Sequence, residues 1–531
     1  MIKKYYQILF LICGSFFFMM NQLVFSQQLN YTLNRDFLWG FDSYYNNKEQ
    51  NFQTFVKPYR FSDVNRITDS TAAFPRLLAG TKAEKHDKET NSIVEAYPLM
   101  LAQTGYDASS SNPHLTNEYG IGASLIGYFG KKFAFNFKAF GGKGTFNNYT
   151  DSIIKTSHVI PGMGYAYRSN KDSLNPQYAY QYFSGYASYS PNKIFNFQAG
   201  QDKQFWGDGY RSLFLSDVSA PYPYFKITTN IWHFTYVNLY TVMKDATNPS
   251  GFKKDWLNKY ATFHYLGWNA TKRINIGLFE SVVWQGSDST RHRSYDVNYL
   301  NPVMFFRPTE YSLGSSDNAF VGAGFKIKAF KKQQFYGQLL IDEFVLKEVL
   351  GGHGWWANKQ AFQLGLKSFD LFKIKKLNFQ TEFNYVRPFT YSHGSVQQNY
   401  SNMNQPLGDP LGANFVESAT FLNYRHKRFF FEAKYMYALY GDDRSGSDFG
   451  KNIFISYVNR VSEYGNTIAQ GVQTTLATSS LRVAYMLDTR MNLKIELGFV
   501  DRVQKTEYTS KQTPYIFIGF KTDLCNIYSD Y

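Results

Sequence analysis

The stretch "LNFQTEFNY" at residues 377–385 decides the fold class. Its odd-numbered positions hold Leu, Phe, Thr, Phe and Tyr, and its even-numbered positions hold Asn, Gln, Glu and Asn. Successive side chains of a β-strand point to opposite faces, so one face here is aromatic and apolar while the other carries large polar groups. This period of two predicts a strand that faces lipid on one side and water on the other.

The same alternation recurs along the chain. It is found in "FAFNFKAF", "IFNFQAGQ", "FFFEAKYMYALYG" and "MNLKIELGF", at residues 133–140, 194–201, 429–441 and 491–499. A β-sandwich also alternates, but one sheet system rarely repeats the pattern over some 400 residues. Short turns such as "SPNK" at 190–193 alternate with long polar stretches such as "KDATNPSGFKKDW" at 244–256. Tight periplasmic turns and long outer loops are typical of outer-membrane barrels.

The fold class is therefore all-β, a transmembrane antiparallel β-barrel. Dividing the roughly 415 residues after position 115 by about 23 residues per strand and connection gives about 18 strands, and 16 would also fit. Composition agrees with this fold. Aromatic residues make up 19% of the chain, yet the mean hydropathy is only −0.39. A lipid-facing band with aromatic girdles around a polar lumen accounts for both values. After the N-terminal run there is no stretch of 18 apolar residues that would form a membrane helix.

The N-terminus predicts export. Lys3 and Lys4 precede an apolar run at residues 8–20, and Ser26 precedes a cleavage point before Gln27. We interpret residues 1–26 as a signal peptide, because the run is too short to span a bilayer as a helix. Residues 27–110 are polar and weakly periodic, which favours a short N-terminal periplasmic segment. The outer-membrane β-barrel is then expected over residues 111–531.

The net charge of +15 raises the question of an anionic partner. Export removes nucleic acid as a normal partner. No run of five or more Lys and Arg residues occurs, which favours a charge excess scattered over loops rather than a dedicated patch for a polyanion. The partner that the fold itself requires is outer-membrane lipid.

The sequence contains no complete motif for a cofactor or for catalysis, so no cofactor, metal or catalytic residue is predicted. "GGKGT" at 141–145 lacks the first glycine of a phosphate loop, and the nine histidines are dispersed without metal-ligand spacing. Paired carboxylates are the best argument for an enzyme, here a glycoside hydrolase. Candidates are Glu280, Glu310, Asp317, Asp342 and Glu343. Inward carboxylates that face Lys and Arg are, however, a standard way to fill a barrel lumen.

Four segments set aromatic residues beside planar polar groups with Gly or Pro nearby. They lie at 200–217 ("GQDKQFWGDGYRSLFLSD"), 301–319, 351–356 ("GGHGWW") and 384–415. Such groups suit sugar recognition, but they also suit structured strand ends. From the first two segments we predict a structural or glycan-contact cluster near one barrel mouth, in which Asp208 or Glu310 would be the partner of a buried Arg211. The predicted cluster consists of Trp206, Asp208, Arg211, Arg307 and Glu310.

These segments also carry a family resemblance. "FNFQAGQDKQFWGDGYRSLFLSDVSAPYPYFKITT", "NYLNPVMFFRPTEYSLGSSDNA", "EFNYVRPFTYSHG" and the "YSDY" ending resemble the Bacteroidetes branch of the Wzi-type capsule-assembly outer-membrane proteins. That branch includes a protein of gliding motility. The resemblance implies a non-enzymatic barrel in the cell outer membrane, acting in surface-polysaccharide attachment or gliding. The implied partners are surface polysaccharide and other proteins of a motility or secretion apparatus. The alternatives are a diffusion porin and, less favoured, a surface glycoside hydrolase.

Overall fold

A closed antiparallel barrel of eighteen strands forms the part of the chain that the structure describes. The structure is a computed structural model, and it describes residues 28–46, 51–61, 63, 92–247, 252–286, 294–303, 317–343, 345–444, 446–488, 491–522 and 525–531. The predicted strand number is confirmed. The barrel strands are β1 Ser92–Asp107, β2 His114–Phe129, β3 Phe133–Thr145, β4 Gln177–Tyr189, β5 Phe195–Asp202, β6 Tyr222–Ile231, β7 Phe234–Asp245, β8 Leu257–Asn269, β9 Ile274–Gln285, β10 Asn318–Ala329, β11 Gln333–Glu343, β12 Lys359–Ser368, β13 Leu377–Val386, β14 Phe415–His426, β15 Phe429–Asp442, β16 Val472–Asp488, β17 Leu493–Thr506 and β18 Ser510–Thr522.

Each strand pairs with its neighbours in chain order, and β18 closes the barrel on β1. Leu101 lies opposite Lys521 in that closing pair, and Asp107 lies opposite Tyr515. Because each strand pairs with a neighbour on both sides, the sheet closes without a free edge strand. The alternation predicted for residues 377–385 is present in β13, where Asn378, Gln380, Glu382 and Asn384 are buried and Phe383 is exposed.

The connections differ at the two ends of the barrel. One end has the short turns 130–132, 190–194, 232–233, 270–273, 330–332, 369–376 and 427–428. The other end has all the long connections together with the shorter turns 108–113 and 507–509. Tight turns of outer-membrane barrels face the periplasm, so the long connections face the outside of the cell. We call these the inner end and the outer end.

Helices are few in the described residues, and none of them is long and apolar enough to cross a membrane. The α-helices are α1 Arg35–Asn46, α2 Asn148–Ser157 and α3 Leu346–Gly351, and the 3-10 turns are Lys253–Asp255, Val297–Leu300, Leu371–Lys373, Val396–Gln398 and Tyr457–Asn459. α2 begins at a capping residue, because the Asn147 side chain accepts a hydrogen bond from the Thr150 main-chain N–H.

The sequence placed the start of the barrel too late. Ser92–Asp107 pairs with β2 along its whole length, so the barrel begins at Ser92 and not at residue 111. The physical reason is that β1 alternates less regularly, with Pro98 within the strand, and its pattern does not stand out from the polar segment before it. Residues 1–26, the predicted signal peptide, lie outside the described residues.

Segments of the chain that are not part of the barrel wall fill the lumen, together with the inward side chains of the wall. Residues 28–46 and 51–61, the connection 203–221, the connection 387–414 and the tail 525–531 all contribute buried side chains inside the barrel. An apolar core forms there around Trp206, Phe214, Tyr391 and Tyr400. We call these inserted segments the lumen plug, and we count 28–46 and 51–61 together as the N-terminal segment of its four parts.

Candidate functional site

The segment at residues 200–217 leaves the wall at the end of β5 and turns into the lumen. Leu213, Phe214 and Leu215 have no exposed surface. The Phe214 ring stacks on that of Phe279 in β9, with centroids 4.6 Å apart and planes 2° from parallel. Burial of several large apolar side chains is the main force that holds a segment in place, so this segment is part of a core.

Trp206 is fully buried at the centre of that core. Its carbonyl accepts a hydrogen bond from Gln338 Nε2 at 3.0 Å. Three aromatic rings meet the indole edge-on, with centroids 6.0–6.1 Å away, and they belong to Phe263, Tyr265 and Phe279. Edge-to-face contact at this distance is the favoured geometry for aromatic pairs. A ring enclosed in this way has no face free for a sugar.

Gly209 allows the backbone to lie against a buried carboxylate of the wall. A Cβ at this position would lie 2.3 Å from Glu382 Oε2. That carboxylate instead accepts hydrogen bonds from the main-chain N–H groups of Tyr210, at 2.7 Å, and Arg211, at 3.0 Å. Only glycine permits so close an approach of backbone to a fixed side chain.

Arg211 is the electrostatic centre of the plug and is almost fully buried. Its guanidinium donates to Glu417 Oε1 at 2.9 Å and to Asp530 Oδ1 at 3.1 Å. Burial alone would lower the pKa of Arg211, but the carboxylates of Asp530 and Glu417 raise it well above its usual range. Burial would likewise raise the pKa of Asp530, whereas Arg211 and Lys434 hold it well below its usual range. Arg211 and Asp530 are therefore ionised.

Of the two predicted partners of Arg211, Glu310 lies outside the described residues and Asp208 pairs with another residue. Its carboxylate lies 3.7 Å from Lys57 Nζ, on the N-terminal segment. Burial raises the pKa of Asp208, but the ammonium groups of Lys326 and Lys57 outweigh that effect and leave it below its usual value. The reason is topological, because β-type pairing of Val56 with Trp206 brings the N-terminal segment to this side of the loop.

The structure brings Trp206, Asp208 and Arg211 together on one inserted segment. Arg307 and Glu310 lie outside the described residues, so the five-residue cluster stays a prediction. Sequence reasoning missed the true partners of Arg211. Asp530 sits in the tail and Glu417 in β14, and neither has a local motif that signals a long-range ion pair. The only available signal was the inward position of Glu417 in the alternation of "FVESATFLNY".

The N-terminal segment is tied to the wall by ion pairs. Arg35 donates to Glu432 at 3.0 Å, and Asp36 accepts from Arg482 at 3.0 Å and from Lys494 at 3.1 Å. Asp42 pairs with Lys367. A cavity of about 310 Å³ remains between α1, the tail and the wall, and it is lined by charged side chains that are mostly paired with one another.

At the outer end, three connections meet in an aromatic surface. Trp355 and Trp356 follow α3, and Tyr457 comes from the connection 443–471. The Trp356 centroid lies 6.2 Å from that of Trp355 and 4.7 Å from that of Tyr457. All three rings are partly exposed. We call Trp355, Trp356, Tyr457 and Arg387 the outer platform.

Main-chain hydrogen bonds fix the outer platform. The Trp356 N–H donates to Glu463 O at 2.9 Å, and the Asn466 N–H donates to Gly354 O at 2.9 Å. Arg387 donates from Nε to Asn358 O at 2.7 Å. Gly354 adopts φ of +64°, a conformation that glycine reaches without strain. The rings are thus held before any ligand arrives, which reduces the ordering cost of binding.

Cations border the outer platform. The Arg460 guanidinium carbon lies 4.2 Å from the Trp356 centroid, and Lys359 Nζ lies 4.3 Å from that of Tyr457. Lys359 sits between the carboxylates of Asp342, at 3.8 Å, and Glu343, at 3.7 Å. Asp342 also accepts from the Tyr391 main-chain N–H at 2.9 Å. Such contacts are those of an internal ion pair.

Glu280 and Asp317, the other described candidates, have similar local partners. Glu280 lies 3.6 Å from His264 Nδ1, and Asp317 accepts from the Tyr299 hydroxyl at 2.7 Å. Within the described part of the chain, His, Cys, Asp and Glu side chains form no group of three or more that could hold a metal ion.

Comparison with known proteins gives a structural match but no sequence match. No family model matches the chain, and no curated protein matches it. The solved structure of Wzi, an outer-membrane protein involved in group 1 capsule assembly in Escherichia coli and described as a carbohydrate-binding β-barrel, matches with a TM-score of 0.56. The match covers 94% of this chain and 100% of Wzi, at 12% identity. The fold is that of Wzi.

Porin structures match less well. OprD of Pseudomonas aeruginosa gives a TM-score of 0.40 at 9% identity, over 81% of this chain and 96% of OprD. OccAB2 of Acinetobacter baumannii gives 0.41 at 10% identity, over 80% of this chain and 97% of OccAB2. The closed barrel and its likeness to Wzi confirm the predicted large β-barrel of the outer membrane.

Proposed function

We propose that the protein is a non-enzymatic surface barrel that holds polysaccharide at the outside of the cell. The observation that carries this proposal is the combination of a filled lumen with a preformed aromatic surface at the outer end. A plugged barrel offers its outer surface rather than its interior to a ligand. The full-length likeness to Wzi, itself described as carbohydrate-binding, supports the same conclusion.

The outer platform has the chemistry that a sugar requires. Apolar C–H faces of a pyranose stack on aromatic rings, while planar donors such as Arg satisfy its hydroxyl groups. Trp355, Trp356 and Tyr457 supply the rings, and Arg387 and Arg460 supply donors beside them. In contrast, Trp206 is enclosed by aromatic rings, so the segment 200–217 is a structural element of the plug in this proposal.

A binding assay tests this function. The purified barrel in detergent is titrated with polysaccharide released from the surface of the parent cell. Truncation of a central Trp in an interface costs more than about 1 kcal/mol, so Trp355→Ala should weaken binding roughly tenfold. Trp232→Ala is the matched control, because Trp232 is an exposed Trp at the inner end. Equal affinities of the wild type and Trp355→Ala would refute the platform as the site.

The sequence resemblance to the gliding-motility protein RemB extends the proposal to surface motility. In this proposal, polysaccharide attachment and gliding would share the outer end of the barrel. Motility or secretion-apparatus proteins are the corresponding partners. A clean deletion scored for both colony spreading and retention of surface polysaccharide separates the two roles.

The plug argues against the alternative of a diffusion porin. An open 18-strand barrel leaves an aqueous channel, whereas four chain segments occupy this lumen. For a glycoside hydrolase, Asp342 is one of the predicted carboxylates that the structure describes. Its carboxylate is buried and contacts Lys359 and the Tyr391 main chain, which is an arrangement for structure rather than for proton transfer to a ligand.

A further inference from the structure

We propose that the inner end of the barrel carries a binding site for anionic phospholipid headgroups of the inner leaflet. The site is an arc of four consecutive turns, 270–273, 330–332, 369–376 and 427–428. Nine cationic side chains belong to it: Lys272, Arg273, Lys331, Lys332, Lys373, Lys375, Lys376, Lys427 and Arg428. We call these nine residues the basic arc. This proposal does not depend on the polysaccharide function.

On the described connections, the excess positive charge is concentrated at this end, whereas the sequence favoured a scattered excess. The only carboxylate in the four turns is Asp370, which lies 3.2 Å from Lys332 Nζ. The other short turns add Lys131, Lys132 and Lys193 and no carboxylate. Across the long outer connections, by contrast, the described Lys and Arg residues are matched by Asp and Glu to within one charge. This difference in charge between the two ends was not evident from the sequence, because each turn of the arc holds only two or three cations.

Main-chain hydrogen bonds join each turn of the arc to the next turn or to the strand that borders it, so the cations lie along one side of the inner end. The Lys328 N–H donates to Arg273 O at 2.9 Å, the Phe369 N–H donates to Lys332 O at 2.8 Å, and the Arg425 N–H donates to Lys376 O at 3.3 Å. Every side chain of the basic arc is exposed except Lys332, which is partly buried. Like charges this close repel one another unless an anion lies between them.

The height of the turns places the cations at the headgroups. Ile327 is a lipid-facing residue of β10, and the tip residue Phe330 follows it by three positions. A strand rises about 3.3 Å per residue, so the tip lies within about 10 Å of the hydrocarbon. The headgroup layer of one leaflet is roughly 5–8 Å thick. Lys and Arg side chains on these tips can therefore reach the phosphates.

Exposed aromatic tips favour a lipid partner over a soluble acidic protein. Phe330 and Phe372, at the tips of two arc turns, are each 82% exposed. Both adopt positive φ, 47° and 54°, which turns the ring outward at the apex. Large aromatic side chains at this depth are characteristic of the membrane interface, where the ring sits among headgroups. Cations with interleaved aromatic rings match an anionic lipid surface.

The preference of the reconstituted barrel for one lipid over another tests the basic arc directly. The full chain is reconstituted in phosphatidylcholine bilayers that contain spin-labelled phosphatidylglycerol or spin-labelled phosphatidylcholine, and the fraction of motionally restricted label is compared. One basic side chain near the surface is worth a factor of about five for an anionic lipid. Because only part of the lipid annulus touches the arc, we expect phosphatidylglycerol to be preferred at least about twofold.

The variant K331Q/K373Q/K375Q/K376Q should lose this preference, and high salt should weaken it in the wild type. The matched control is K171Q/K253Q/K254Q/K347Q, which removes four exposed cations from the outer connections and should retain it. Heat-modifiable migration on gels verifies that both variants fold. Equal selectivity for the two lipids, or equal loss in both variants, would overturn the proposal. Displacement of the lipid by millimolar inorganic phosphate would also overturn it, because the site would then bind free phosphate.

Discussion

Replacing Arg211 by Met should destabilise the barrel by leaving a buried carboxylate without a counter-ion. Arg211 contacts three carboxyl groups, but they do not count equally. Burial and the neighbouring Glu417 raise the pKa of Asp409 well above its usual range, which favours the neutral form of Asp409. Asp530 keeps Lys434 at 2.7 Å in the variant. Glu417 keeps only the Asn384 amide at 3.0 Å.

One buried charge therefore loses its partner, which costs about 3–5 kcal/mol. The assay is guanidinium unfolding of the reconstituted barrel, followed by the fraction that still migrates as the folded form on unboiled gels. The double variant Arg211→Met, Glu417→Gln is the control, and it should recover most of the loss because the stranded charge is gone. A single variant within about 0.5 kcal/mol of the wild type, or a double variant no better than the single one, would refute this reasoning.

Two other predictions concern the plug and the outer platform. Trp206→Ala should lower the free energy of unfolding by about 3–5 kcal/mol through the cavity that it leaves, with less folded barrel in the membrane, whereas unchanged barrel levels with lost surface function would favour glycan contact instead. His393, beside Tyr457, has its pKa lowered to about 4, first by burial and then by Lys359. Because the folded-state pKa lies below the unfolded value, the neutral form contributes stability above about pH 6.5 that is lost as the pH falls towards 4. Hydrogen exchange in the connection 387–414 should accelerate over that range in the wild type but not in His393→Phe.

The barrel could be predicted from the sequence because the alternation that defines each strand is local. Lipid-facing and lumen-facing side chains alternate within each strand, so nine residues such as 377–385 suffice to define a strand, and β13 has the predicted orientation. Strand number followed from chain length. The boundary at 111 failed because β1 lacks such a clean pattern.

The plug could not be predicted in the same way because its contacts are long-range. Arg211 and Asp530 are joined across the lumen although they are distant in the chain. Lys57 and Asp208 are likewise distant in the chain, and they meet inside the barrel. The aromatic and glycine content of 200–217 marked the segment as special, but an enclosed core and a sugar site use the same residue types. Only the packing of Trp206 against three rings distinguishes them.

Inserted segments of the chain close this barrel, and we propose that it acts through its outer surface. Conductance of the purified full chain in planar bilayers tests directly whether the lumen is closed. We predict no stable single-channel steps at neutral pH, because residues 28–46, 51–61, 203–221, 387–414 and 525–531 occupy the lumen. Steady, ohmic channel openings of the size of an open 18-strand pore would contradict the account.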